Sequence, residues 1–124
     1  FARDFAKERG YRICIDGLTH ETLAFVDREK LGADMVKMIW NSDIIDNVGA
    51  KRAKRLIKLA GASKVIFCRC DEEAAVDFGQ EIGVNMFQGR YIENLIAEES
   101  RRRDMEMARR RTQNLDLLEE GDGE

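Results

Sequence analysis

Four short apolar runs, YRICID (11–16), DMVKMIW (34–40), KVIFCRC (64–70) and VNMFQG (84–89), alternate with stretches of helical periodicity, and nothing else in the sequence constrains the fold as much. The helical stretches are Thr19–Leu31, Asn47–Ala62, a segment from Asp71 or Glu72 to Ile82, and Glu93–Asn114. A helix end over 1–9, closed by Gly10, precedes the first strand. Glycines at 32, 61 and 83 fall where helices should stop, and no proline interrupts the chain. Strands alternating with helices of this length predict parallel strands joined by right-handed crossovers. KVIFCRC is apolar enough to be buried on both faces, as parallel strands usually are.

Two closures accommodate this order: an open doubly wound sheet, or half of a (β/α)8 barrel. Length favours the second, because four units in 124 residues are about half of the ~250 residues usual for such a barrel. The expected fold class is α/β, half of a TIM-like barrel with four parallel strands alternating with helices. A half-barrel would leave two sheet edges open. The chain also begins at Phe1 with a helix already in progress, so a missing N-terminal half is the first expected partner. The expected organisation is a half-barrel over 1–97, a charged helix over 98–114 and an acidic, disordered tail over 115–124. In that helix Glu98 or Glu99 faces Arg102 or Arg103, and Asp104 or Glu106 faces Arg109 or Arg110, so it is read as a solvated helix rather than a docking segment.

A net charge of -3 argues against nucleic acid as a partner, although Arg101–Arg103 and Arg109–Arg111 form local basic clusters. No apolar run approaches the length that spans a bilayer, and no signal peptide is recognisable. With three cysteines and neither feature, a cytoplasmic location with reduced thiols is expected.

In either closure, function gathers at the C-terminal ends of the strands. Asp16, Lys37, Asp71 and Gln88 would converge there. A carboxylate, an ammonium and an amide suit a metal and phosphate-ester site; they equally suit a structural Lys37–Asp16 pair. Strand alternation puts Cys68 and Cys70 on one face and Arg69 on the other. A bare CxC is no zinc signature, because a structural site needs four ligands. His20, the lone histidine, is either a solvated loop residue or a metal ligand.

Taken in order, ICIDGLT, ADMVKM, KVIFCRCDE and IGVNMFQGRY resemble the C-terminal half of the EAL domain, the bacterial phosphodiesterase domain for cyclic di-GMP. The family blocks are DDFGTG, KID, AEGVE and QGY. The resemblance spans about 1–97, and the spacings from Asp16 to Lys37 and from Cys68 to Gln88 match without gaps. In the family the aspartate pair helps to hold two metal ions, the lysine orients the attacking-water region, and the first glutamate of AEGVE belongs to the ligand sphere. Here Asp16, Lys37 and Gln88 match, Asp71 is a shorter substitute for the last glutamate, and Gly17, Ile39 and Cys68 replace the other acids. Asp16 is the one residue carried over as a metal ligand. His20, Glu21 and Thr22 also depart from the family loop that couples the site to dimerisation.

The resemblance therefore implies a catalytically inactive EAL-like domain, a regulatory or protein-interaction module in bacterial signalling. Its partners would be other protein domains or a second copy, with cyclic di-GMP binding doubtful and no cofactor expected. The alternatives are a cyclic di-GMP phosphodiesterase using Mg²⁺ or Mn²⁺ to form pGpG, and a receptor that binds the nucleotide without hydrolysing it.

Overall fold

The computed structural model describes residues 2–122. The chain divides into two units, Phe1–Ile92 and Glu93–Glu124. The first holds α1 (Ala2–Glu8), β1 (Cys14–Leu18), α2 (Arg28–Leu31), β2 (Met35–Ile39), α3 (Asn47–Ala60), β3 (Val65–Cys68), α4 (Glu73–Glu81) and β4 (Met86–Phe87). A long helix, α5 (Arg90–Asp122), begins in the first unit and makes up the described part of the second. No helix among the described residues is long and apolar enough to cross a membrane.

The four strands form one all-parallel sheet in the order β1-β2-β3-β4. Strand order never reverses, so the switch point of a doubly wound sheet is not found among the described strands. Val36 pairs with Val65 and Ile39 with Cys68, while Ile66 pairs with Met86 and Phe67 with Phe87. β1 runs two residues past the expected end at Asp16, because the register shifts between Ile15 and Leu18. Gly17 at φ +76° supplies the backbone freedom for that bulge.

Alternation sorts the sheet into unequal faces. Val36, Met38, Val65 and Phe67 are fully buried in a cluster with Ala53 and Ile57 of α3 and Ala75 and Phe78 of α4. Fully burying a side chain of this size contributes about 1.5–3 kcal/mol. The alternate residues Met35, Lys37, Ile39, Ile66 and Cys68 are only half-buried. The expectation that KVIFCRC is buried on both faces is thereby corrected, since only its Val65 and Phe67 side is enclosed.

The expected helix over 19–31 is broken into a 3-10 turn, Thr22–Phe25, and the single turn of α2. Local hydrogen bonds compete with the helix here. Thr22 Oγ1 accepts from the Thr19 amide at 2.8 Å, and Thr19 Oγ1 accepts from the Thr22 amide at 3.1 Å. Asp27 then restarts the helix by accepting from the Lys30 amide, with Gly32 closing it in the left-handed region. Arg28 reaches across to the end of α3, where Nε donates to the Ala60 carbonyl at 2.8 Å and satisfies an acceptor that the helix leaves open.

In place of a loose tail from residue 115, α5 stays helical to Asp122, and residues 123 and 124 lie outside the described residues. Phe1, part of the expected first helix, also lies outside them.

Candidate functional site

The uncovered face of the sheet collects most of the residues singled out by the sequence. Lys37 sits mid-strand on β2, paired with Ile66 of β3. Asp16 follows Ile15, the partner of Val36, and so falls beside Lys37 on β1. Cys68 ends β3 on the same face. The pairing of Ile66 with Met86 and Phe67 with Phe87 carries Gln88 to the position beside Cys68. Three of the four predicted residues, with the thiol of Cys68, thus share one face.

Lys37 forms no ion pair or hydrogen bond among the described residues, so the structural Lys37–Asp16 pair does not form. Asp16 instead accepts from the Gly17 amide through Oδ1 at 2.7 Å. The same groups act on the cysteines. Burial raises the Cys68 thiol above its ordinary range, the Lys37 ammonium pulls it down, and Asp16 pushes it up. Cys14, on the same side of β1, is raised by burial and opposed by Lys37 in the same way. Both thiols are protonated at neutral pH, which makes them poor nucleophiles and poor metal ligands.

Asp71 has a different position and task. Arg69 adopts φ +56°, the left-handed region that non-glycine residues seldom enter, and this ends the strand. The expected grouping of Cys68 with Cys70 is therefore wrong: Cys70 turns into the core, fully buried, with its thiol 3.4 Å from the Phe67 carbonyl. Burial raises that thiol to about 11. Beyond the turn, Asp71 Oδ1 accepts from the Arg90 amide at 3.1 Å and so caps the start of α5. Its carboxylate lines a cleft of about 500 Å³ at the ends of β2 and β3, together with Arg69, Asn41 and Ser42.

Gln88 and Gly89 are held by backbone contacts. The Cys70 amide donates to the Gln88 carbonyl at 2.9 Å, and the Gln88 amide donates to the Phe67 carbonyl at 2.8 Å. At Gly89, with φ +149°, a Cβ would collide with the Cys70 backbone, so only glycine allows this approach. His20 lies outside the face cluster in the loop after β1; its Nδ1 is buried without a partner and its Nε2 is 3.9 Å from Glu21.

Sequence reasoning misses two features of the rim. Trp40 Nε1 donates to Glu72 Oε1 at 2.7 Å while its ring packs against Phe67 and Phe78. No local pattern links residues 40 and 72. The turn at Arg69 carries no signal either, because arginine has no preference for that backbone region.

The donor set does not fit a pair of divalent cations. Among the described strand residues Asp16 is the lone carboxylate on the open face, one of its oxygens is already engaged, and the other polar groups on that face are an ammonium, protonated thiols and an amide. Mg²⁺ and Mn²⁺ require several anionic oxygens. Among the described residues no group of three or more His, Cys, Asp or Glu could hold a metal ion. In comparisons with known proteins, no family model, curated protein or solved structure matches the chain significantly.

Proposed function

We propose that residues 1–97 are the C-terminal half of an EAL-like (β/α)8 barrel that has lost its phosphodiesterase chemistry and serves as a regulatory or protein-interaction module. One observation carries this reading. The strand register lines up Asp16, Lys37, Cys68 and Gln88 on the uncovered face, in the order in which the family sets its aspartate, lysine, glutamate and glutamine. Sequential strand order and a half-buried second face suit an arc of a barrel whose interior is completed by further β/α units.

The inactivity follows from charge. Two-metal hydrolysis needs enough anionic ligands to fix two cations and to acidify the water between them. Gly17 has no side chain to ligate, and the thiol of Cys68 stays neutral, so no hydroxide nucleophile is generated. The unpaired Lys37 ammonium adds positive charge where cations would sit. That same ammonium, unpaired on the open face, favours a second reading, a receptor that holds a phosphate diester without cleaving it.

Incubating the protein with cyclic di-GMP and Mg²⁺ or Mn²⁺ should leave the nucleotide intact; formation of pGpG would overturn the inactive reading. Titration calorimetry should show no binding in the micromolar range. Saturable binding abolished by Lys37→Ala would instead establish the receptor. Helices packed onto the open face in a structure of the longer polypeptide would exclude the barrel.

A further inference from the structure

We propose that the outer face of α3, with the cleft beside it, is a docking surface for an acidic protein segment carrying an aliphatic anchor. Every charged residue between Asp46 and Asp71 is basic, in a chain whose net charge is -3. Lys51, Arg52, Arg55 and Lys58 lie on α3, and none of them forms an ion pair among the described residues. Lys54 alone is neutralised, by Glu81 at 3.2 Å.

Aliphatic side chains stand among these cations. Val48 is 79% and Leu59 77% exposed. Val48, Arg52, Arg55 and Leu59 follow i, i+4, i+7, i+11 spacing and so form one outward line, about 16 Å long at 1.5 Å per residue. Leu59 also forms one wall of a cleft of about 400 Å³, with Val26, Leu56, Ala60 and Phe25 around it. Its lining includes the nearly buried Leu23, while the Phe25 ring on its lip is 86% exposed.

An uncompensated row of cations beside exposed apolar groups is relieved by a partner that brings carboxylates and inserts one side chain. The concave shape selects a protein segment over a bilayer, which takes protruding groups lying on a plane. Asp27 and Glu29 line the same cleft, so the segment's aliphatic anchor enters it while its carboxylates lie over the cations of α3, a division that a uniformly anionic membrane surface does not offer. A nucleic-acid backbone would use the cations and leave the cleft empty. The surface stands independently of the reading of the open sheet face, on which none of these residues lies.

The test is fluorescence anisotropy of a labelled synthetic helical peptide, with leucines at i and i+4 flanked by glutamates, titrated with the full chain. Saturable binding is expected. It should weaken by about tenfold or more in the double variant Lys51→Glu/Arg55→Glu and severalfold in Leu59→Ser, with the far-UV circular dichroism of both variants unchanged. Lack of saturable binding, or binding that both variants leave untouched, would overturn the proposal. So would tighter binding to mixed phosphatidylcholine and phosphatidylserine vesicles, or to a duplex oligonucleotide, than to the peptide.

Discussion

Residues 2–92 and the helix beyond Glu93 balance burial and charge in opposite ways. In the first unit Val36, Met38, Ile57, Val65 and Phe67 are withdrawn from water, and no charged or polar residue is buried among them. In the second, Met105, Met107 and Leu115 remain exposed, and order comes from ion pairs along the helix. Glu99 meets Arg102 at 2.6 Å and Arg103 at 3.1 Å, and Glu106 meets Arg109 at 2.7 Å and Arg110 at 3.4 Å. Packing fixes side chains in place and can hold a site; a charge-paired helix is a local structure whose stability follows salt and pH. The site residues accordingly lie in the first unit.

The sharpest way to break this contrast is inside the core. Phe67→Ala should cost about 3–5 kcal/mol in urea unfolding, whereas Ile66→Ala, one residue away on the half-buried face, should cost clearly less. Equal losses would mean that the two faces are not distinct. A second, smaller effect is alkaline. The Cys70 thiol is raised from 9.0 to about 11 by burial, so its stabilising contribution is complete below pH 9 and is lost as pH rises toward 11. That loss should reach at most about 3 kcal/mol at 1.36 kcal/mol per unit, and Cys70→Ala should flatten the alkaline limb of the stability curve.

The smallest effect belongs to α5. Hydrogen bonds and charge from Arg102 and Arg103 lower Glu99 from 4.5 to about 2, and Arg109 and Arg110 lower Glu106. Depressed carboxyl groups stabilise the helix above the unfolded value and lose that contribution as pH falls, for Glu99 between 4.5 and about 2. Far-UV helical signal should therefore drop modestly on acidification and in high salt, and Glu99→Gln should reproduce part of the drop. A salt response as large in the Phe67 core as in the helix would collapse the distinction.

Much of this architecture is legible in the sequence. The apolar runs and glycine stops fall close to the observed strands and helix ends, because period-2 and period-3.6 patterning and capping are local. Of the expected group Asp16, Lys37, Asp71 and Gln88, three share one face through the register that parallel pairing imposes, and Asp71 does not. Other features need the fold. The helix over 19–31 gives way to hydroxyl hydrogen bonds between Thr19 and Thr22, whose side chains compete with the backbone. The acidity of residues 115–124 suggests a loose tail, but its leucines and glutamates are good helix formers and extend α5.

By itself the sequence determined the order of elements and the parallel class of the sheet, since each depends on residue type and spacing along the chain. Only the tertiary structure decided that one sheet face is enclosed and the other open, that Arg69 reverses the alternation and sends Cys70 into the core, and that Asp71 serves the start of α5. Those outcomes rest on contacts between residues far apart in the chain, where packing overrides local preference.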